Sequence, residues 1–308
     1  MQLVAEKSAT KVLGKAPVKA KSKISAKPKM KIRKLKEKIG AEVIGLDLRK
    51  PIDAETRYLL NRALVDHVAL VIRDQKFKPE QYFNAMMLFG EPMEQDSPQF
   101  SVPGAPMLRT ISNRNQDSKG NRIKVGLRWH TDHTNQYIPP KYTSLYAVKL
   151  PKSGGGNTSV CNMRAAYEAL PKSWKKKIDG RRTANVRLGS AVKNVYNTNS
   201  LEEQQRLKPK PVFQPLIRTN GDNGTKALYC HPNKMDYIEG YTPEESQDLI
   251  DKLVKMTTKD EFIYSHKWQL GDMLIWDDRS SMHQAAFDYD PKEHRLMWRA
   301  LVRGELPH

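Results

Sequence analysis

Five consecutive apolar residues, Val68-Ala69-Leu70-Val71-Ile72, set the first condition that any fold of this chain must meet. The run falls far short of the roughly 18 to 20 apolar residues that cross a bilayer, and no other stretch approaches that length. A soluble chain is the expectation. The run has strand length, and with no polar side it predicts a strand buried on both faces. Such a strand needs cover above and below. Asp53 to Leu64 reads as a helix, with apolar residues at helical spacing and Asp53 available as its N-cap. A second helix is predicted over Pro79 to Phe89, stopping at Gly90. Ala41 to Leu48 alternates as a short strand does.

The rest of the chain is written in short strands and turns. Arg109 to Lys124 has the Asn, Asp, Gly and Ser content of a mobile loop, and it leads into a predicted strand through His130. Thr143 to Val148 reads as a strand, Ser153 to Asn157 as a turn, and Met163 to Leu170 as a helix. Asn185 to Asp236 is turn-rich with short strands, and Pro243 to Met256 is helical. Trp268 to Val302 gives two or three strands, parted by a Gly271-Asp272 turn and an Asp288-to-Pro291 corner. Many short strands with a few early helices predict a mainly β fold with helical cover, a sandwich or jelly roll. The length of 308 residues suits one large domain, and no internal repeat is visible.

The net charge of +19 resembles a nucleic-acid signal until it is located. The first 40 residues hold 12 Lys and one Arg against two Glu, so 11 of the 19 excess charges sit there. This Lys/Ala/Ser/Pro segment lacks the apolar periodicity to fold alone. Residues 1–38 are therefore expected to form a basic, disordered tail, with non-specific polyanion contact as its alternative use. Residues 39–308 form the expected domain. A transit peptide would favour Arg, and this tail favours Lys. Two cysteines, Cys161 and Cys230, without a signal-peptide pattern, point away from a disulfide framework and toward a reducing cytoplasm. Oligomeric state is not legible.

The chemistry is carried by Trp129-His130-Thr131-Asp132, answered downstream by Trp276-Asp277-Asp278-Arg279-Ser280-Ser281-Met282-His283. Two imidazoles and a carboxylate on one face of a metal, with the other positions open, are the ligand set of mononuclear Fe(II) oxygenases. On a strand, residues two apart share a face, so His130 and Asp132 would point together into a barrel interior. His283 must then come from another strand. His133 points the other way on a regular strand, which removes it as a ligand and leaves a place in the substrate pocket. His-X-Asp alone is weak, because eight His make chance triplets easy. Its context is what gives it weight.

That context resembles the taurine dioxygenase/aryloxyalkanoate dioxygenase family of Fe(II)- and 2-oxoglutarate-dependent oxygenases. The marks run in family order from about Gly40 to Gly304. They are Gly40-Ala41-Glu42-Val43 with Asp47-Leu48, His67 with Arg73-Asp74-Gln75, and Phe89-Gly90-Glu91. The His130 motif, Gly155-Gly156-Asn157-Thr158 and Trp276 to His283 follow. The resemblance implies a double-stranded β-helix and a metal triad of His130, Asp132 and His283. It also implies O2-dependent hydroxylation of a small anionic organic substrate, with 2-oxoglutarate converted to succinate and CO2. Retention of Asp132 points to hydroxylation, because halogenating relatives lose this acid.

A 2-oxoglutarate site needs a cation for the distal carboxylate, preferably a bidentate Arg. Arg295 and Arg299 follow His283, and their separation of four puts both on one face of a strand. The resemblance assigns Arg295, assisted by Thr158, to 2-oxoglutarate and Arg299 to the anionic group of the primary substrate. By ungapped counting, the sulfonate-binding His of taurine enzymes falls on Gln95, and their amide before the first ligand falls on Gly126. Both departures weaken taurine itself as substrate. Asp278 stands where the family usually has Asn. A dioxygenase for sulfonates or related anions is the leading expectation, and an aryloxyalkanoate ether-cleaving enzyme is the alternative. A catalytically silent polyanion-binding protein is the alternative from another class.

Overall fold

The computed structural model describes residues 30–95, 97–117, 119–186 and 210–308. Eight strands form the larger sheet. In spatial order they are β1 (Lys31–Lys34), β2 (Ala41–Ile44), β3 (Ala69–Ile72), β14 (Met273–Asp277), β6 (Pro140–Lys149), β16 (Leu296–Arg303), β5 (Ala105–Ser112) and β4 (Ser101–Val102). Every pairing is antiparallel except β2 with β3. A smaller sheet places β7 (Thr158–Asn162) between β13 (Ile263–His266) and β15 (Ser281–Ala285). Two minor sheets hold β8 (Arg182–Asn185), β9 (Val212–Pro215) and β12 (Met235–Ile238), and β10 (Ile217–Thr219) with β11 (Lys226–Leu228). The helices are α1 (Ala54–His67), α2 (Pro79–Met86), α3 (Met163–Glu168), α4 (Lys172–Ile178) and α5 (Pro243–Thr257). The fold is mainly β with helical cover.

Side-chain alternation explains the layers. Along β3, Leu70 and Ile72 join one core with Leu60, Leu64, Tyr82 and Met86 of α1 and α2, whereas Ala69 and Val71 face a second core. Along β14, Met273 and Ile275 take the helix side, and Leu274 and Trp276 take the other. That second core includes Val160 of β7, so it lies between the two sheets. The next residue, Cys161, points outward to a third core with α3, α4 and α5. Strand β3 is thus buried on both faces, as its uninterrupted apolar run requires.

Local signals set several boundaries. Asp53 caps α1 through its side chain, which accepts from Thr56 N at 2.7 Å. Thr242 and Glu245 form a reciprocal capping box on α5. The ordered part begins earlier than the expected boundary at Ile39, because Lys31–Lys34 pair antiparallel with Ala41–Ile44. Arg33 and Arg73 both pair with Glu42, which ties this strand down. Residues 1–29, and with them the rest of the tail reading, lie outside the described residues, as do 187–209 of the expected turn-rich stretch. Arg109 to Lys124 is not all loop: Arg109–Ser112 close β5 against β16. No helix among the described residues is long and apolar enough to cross a membrane.

Candidate active site

The site opens in the space between the two sheets. Residues of one parity reach it from each strand: Thr143 and Leu145 from β6, Trp276 from β14, Thr158 from β7, His283 from β15, and Arg299 from β16. His130, Asp132 and Arg295 join them around a cavity of about 700 Å³. The expected strand through His130 is not formed. His130 makes a single antiparallel bridge with His283, its N–H donating to His283 O at 3.0 Å and its O accepting from His283 N at 2.8 Å. The chain then turns, with His133 at φ 51°, so alternation is not what aims Asp132. The bridge and the turn bring the triad together instead.

The donor atoms of His130, Asp132 and His283 lie within 4.8 Å of one another. His130 Nε2 is 3.8 Å from Asp132 Oδ1, and His283 Nε2 is 4.0 Å from Asp132 Oδ2. His130 Nδ1 donates to Arg128 O at 2.7 Å, which fixes the tautomer and leaves the Nε2 lone pair for a metal. Burial lowers the pKa of both imidazoles against the opposing charge of Asp132, and His130 lowers His283 further. Burial pushes the Asp132 carboxyl upward. Arg299 and the imidazoles of His283, His133 and His130 outweigh it and hold the acid well below its usual range. Two neutral imidazoles and one ionised carboxylate fit Fe(II).

The same shifts predict an acid-sensitive fold. His130, His283 and His231 all have folded pKa values below the unfolded one, so the unfolded chain binds their protons first. The metal-free protein should lose stability as pH falls below about 6.5, the unfolded His value. Thermal melts between pH 7.5 and 5 check this, and a flat Tm would contradict it.

Arg295 stands just before β16, buried, with Nε donating to Gly156 O at 3.0 Å and Nη2 without a hydrogen-bond partner. It makes no salt bridge with a described residue, and burial pushes it down to about 10, opposed by Tyr289 and Asp288. Thr158 lies in the same cavity, its Oγ1 accepting from Trp268 Nε1 at 3.2 Å. The glycine turn explains itself here. At Gly156 (φ +67°) a Cβ would sit 2.8 Å from Arg295 Nε and 2.9 Å from its Cδ. Gly156→Ala also forces a left-handed Ala, costing about 1–2 kcal/mol. We expect it to raise KM for 2-oxoglutarate about 10-fold, with a smaller effect on kcat; an unchanged KM would show that Arg295 does not rely on this turn.

A family model described as "Taurine catabolism dioxygenase TauD, TfdA family" matches residues 31–301. The chain belongs to this family. It is 31% identical over 275 residues to the 2,4-dichlorophenoxyacetate dioxygenase of Cupriavidus pinatubonensis, covering 84% of this chain and 93% of that one. It is 29% identical over 283 residues to the sulfate ester dioxygenase of Pseudomonas putida, covering 88% of each. Among solved structures, AAD-2 in complex with Mn(II) and N-oxalylglycine gives a TM-score of 0.76 at 31% identity, covering 90% of this chain and 98% of that one. This TauD/TfdA-family chain is accordingly a 2-oxoglutarate-dependent non-haem iron dioxygenase, with Fe(II), 2-oxoglutarate and O2 as its cofactor set.

The family departures have physical readings. Asp278, in place of Asn, is fully buried and accepts from Trp276 Nε1 at 3.2 Å. Burial, together with Asp132 and Asp277, pushes its carboxyl well above the usual range. A protonated Asp278 can donate to Thr143 Oγ1, 2.5 Å away, freeing that hydroxyl to donate to Asp132 Oδ2 at 3.2 Å. An Asn amide would do the same. Gln95 Oε1 accepts from Arg299 Nε at 3.1 Å and Nη2 at 2.8 Å. His133 Nε2 is 3.4 Å from Arg299 Nη2, on the mouth side of the site, and His133 is not among the converging ligands.

Sequence reasoning missed three contributors to this TauD/TfdA-family site. Thr143 carried no signal beyond its strand. His231 is buried with its ring centroid 5.0 Å from that of His130. Arg279 locks the corner that delivers β15: its Nε and Nη2 grip both Asp277 oxygens at 2.9 and 2.8 Å, and Nη2 reaches Asp222 at 2.8 Å. The Asp277-x-Arg279 spacing could have suggested that clamp.

Proposed function

We propose that this dioxygenase hydroxylates a small organic anion, a sulfonate or related acid. In the balanced reaction the substrate, 2-oxoglutarate and O2 yield hydroxylated product, succinate and CO2. The observation that carries the reading is Arg295, a buried cation in the cavity that holds the triad, with Nη2 unbonded and no salt bridge to a described residue. A buried guanidinium in that position is completed by a ligand acid.

When bound, Fe(II) supplies O2 activation and the oxidising power released by decarboxylation of 2-oxoglutarate. His130, Asp132 and His283 would hold it on one face. Arg295 and Thr158 orient the distal carboxylate of 2-oxoglutarate. Arg299, braced by Gln95 and beside His133, receives the substrate's acidic group. Ile111, Leu145, Trp276 and Phe287 keep water from the reacting atoms. Hydroxylation beside a heteroatom would collapse to a carbonyl compound and a leaving group such as sulfite or a phenol.

The facing sheets suit a double-stranded β-helix, and two buried free thiols, Cys161 and Cys230, suit a reducing compartment such as the cytoplasm. Residues 1–38 keep a proposed role in non-specific polyanion contact, which does not replace catalysis. The aryloxyalkanoate reading draws on the 2,4-dichlorophenoxyacetate relative. It calls for an apolar pocket beside Arg299, and Arg299 shares a cavity with Ile111, Leu145, Trp276 and Phe287. The sulfonate-or-related reading draws on the sulfate ester dioxygenase relative and is taken first. Succinate formation with Fe(II), ascorbate and 2-oxoglutarate across sulfonates, sulfate esters and aryloxyacids tests it. We expect stimulation by sulfonates or sulfate esters; stimulation by aryloxyacids alone would reverse the preference. Arg299→Ala should raise KM for the primary substrate and leave KM for 2-oxoglutarate near its original value.

A further inference from the structure

We infer that Trp268 is a positioning residue for the cosubstrate: its indole N–H fixes the Thr158 hydroxyl so that the O–H proton points at the carboxylate which Arg295 receives. The inference rests on the proposed function, which assigns Thr158 and Arg295 to 2-oxoglutarate. An indole N–H can only donate, so the 3.2 Å contact between Trp268 Nε1 and Thr158 Oγ1 has one polarity. The hydroxyl accepts there, and its own proton cannot turn back toward Trp268. Thr158 is buried, and among the described residues its Oγ1 makes no other hydrogen bond. The proton is left for a group in the cavity that Thr158 lines. Arg295 lines the same cavity with Nη2 unbonded, and a guanidinium likewise has donors alone. Two such donors favour a carboxylate, which only accepts, over an amide.

Trp268 is held in place by its own surroundings. It lies just past the end of β13, whose last residue, His266, pairs with Thr158 across the sheet. His266 is buried and sets its ring edge-on to the indole, with centroids 4.5 Å apart and planes at 86°. The buried Asp272 carboxylate then grips the chain on both sides of Trp268. Its Oδ2 accepts from His266 Nε2 at 3.0 Å and from Gln269 N at 2.9 Å. Arg73 Nη1 donates to the same oxygen at 2.7 Å, and Tyr264 Oη is 2.9 Å from His266 Nδ1. None of these residues lines the cavity, nor does Trp268 itself. What the clamp delivers to the site is therefore one N–H, and it acts on the cosubstrate through Thr158.

Calorimetry of 2-oxoglutarate binding to the anaerobic Fe(II) enzyme tests this in a double-mutant cycle. Thr158→Val removes the hydroxyl at nearly constant shape and should weaken binding about 10-fold, as loss of a hydrogen bond to a charged group does. Trp268→Phe keeps a ring, deletes the N–H, and should weaken binding about 3- to 10-fold with kcat near that of the parent. In the Thr158→Val background the same change should cost less than about twofold, because no hydroxyl is left to orient. Thr158→Ser keeps the hydroxyl and should stay sensitive to Trp268→Phe. Should Trp268→Phe fail to fold, 3-benzothienylalanine at position 268 replaces only the N–H by sulfur and should give the same loss. Losses that add in full across the cycle overturn the inference, as does parent-like binding in the position-268 variants. Parent-like binding in Thr158→Val overturns it together with the assignment of Thr158 to the cosubstrate, whereas additive losses leave that assignment standing.

Discussion

Asp132→Ala is expected to remove Fe(II) binding and take 2-oxoglutarate turnover below detection while the fold survives. Asp132 is the triad's only anion, and without it the metal meets two neutral imidazoles. The loss should exceed the roughly 10- to 100-fold that follows removal of a partner one shell further out. A second effect adds to it. Arg299 Nη1 lies 3.5 Å from Asp132 Oδ2, so the variant removes the acid that faces Arg299 across the site. The charge of Arg299 then opposes a divalent cation directly. Titration with Co(II), read by absorbance, together with succinate formation, checks the outcome. Metal-dependent turnover in Asp132→Ala would sink the metal assignment. His130→Ala should behave alike, because its Nε2 is held toward the site by the Nδ1 bond to Arg128 O.

Arg295→Leu is expected to separate binding from stability. Its loss should weaken 2-oxoglutarate binding about 10- to 150-fold, the equivalent of about 1.5–3 kcal/mol for hydrogen bonds to a charged group. The ligand-free protein should not weaken in step. Burial lowers the folded pKa of Arg295 to about 10, so the unfolded chain holds that proton more tightly. At every pH below about 10 the buried charge opposes folding, and removing it relieves that cost. We expect Tm to stay within about 4 °C of the parent or to rise. Thermal melts with and without 2-oxoglutarate measure both quantities. The ligand should raise Tm of the parent by mass action and do little for the variant. A collapse in Tm would make Arg295 a structural ion rather than a binding group.

The site was legible where chemistry and period two coincide. The separation of four between Arg295 and Arg299 reads directly as one face of a strand, and both side chains line the cavity. His283 needed a strand of its own and has one in β15. His130 and Asp132 do converge with His283, but not by strand alternation. The segment turns after a single bridge, and a left-handed His133 ends any alternation. No local propensity signals that geometry, because it follows from docking against β15. His231 reaches His130 from a turn about 100 residues downstream, and Thr143 reaches Asp132 from the middle of β6. Nothing in their neighbours in sequence marks either one.

The same division holds for the molecule as a whole. The sequence alone determined what depends on nearest neighbours: the buried Val68-to-Ile72 run, the Asp53 cap, the late helix, the identity of the triad and the parity of the two arginines. Tertiary structure decided what depends on pairing register and burial. It set Lys31–Lys34 on the sheet edge, buried Arg295 with no salt bridge to a described residue, pushed Asp278 toward its protonated form, and placed Arg109 opposite Arg299. The physical reason is range. Helix caps and strand alternation are set within a few residues. The charge state of a buried group is set by whatever the folded chain brings to it.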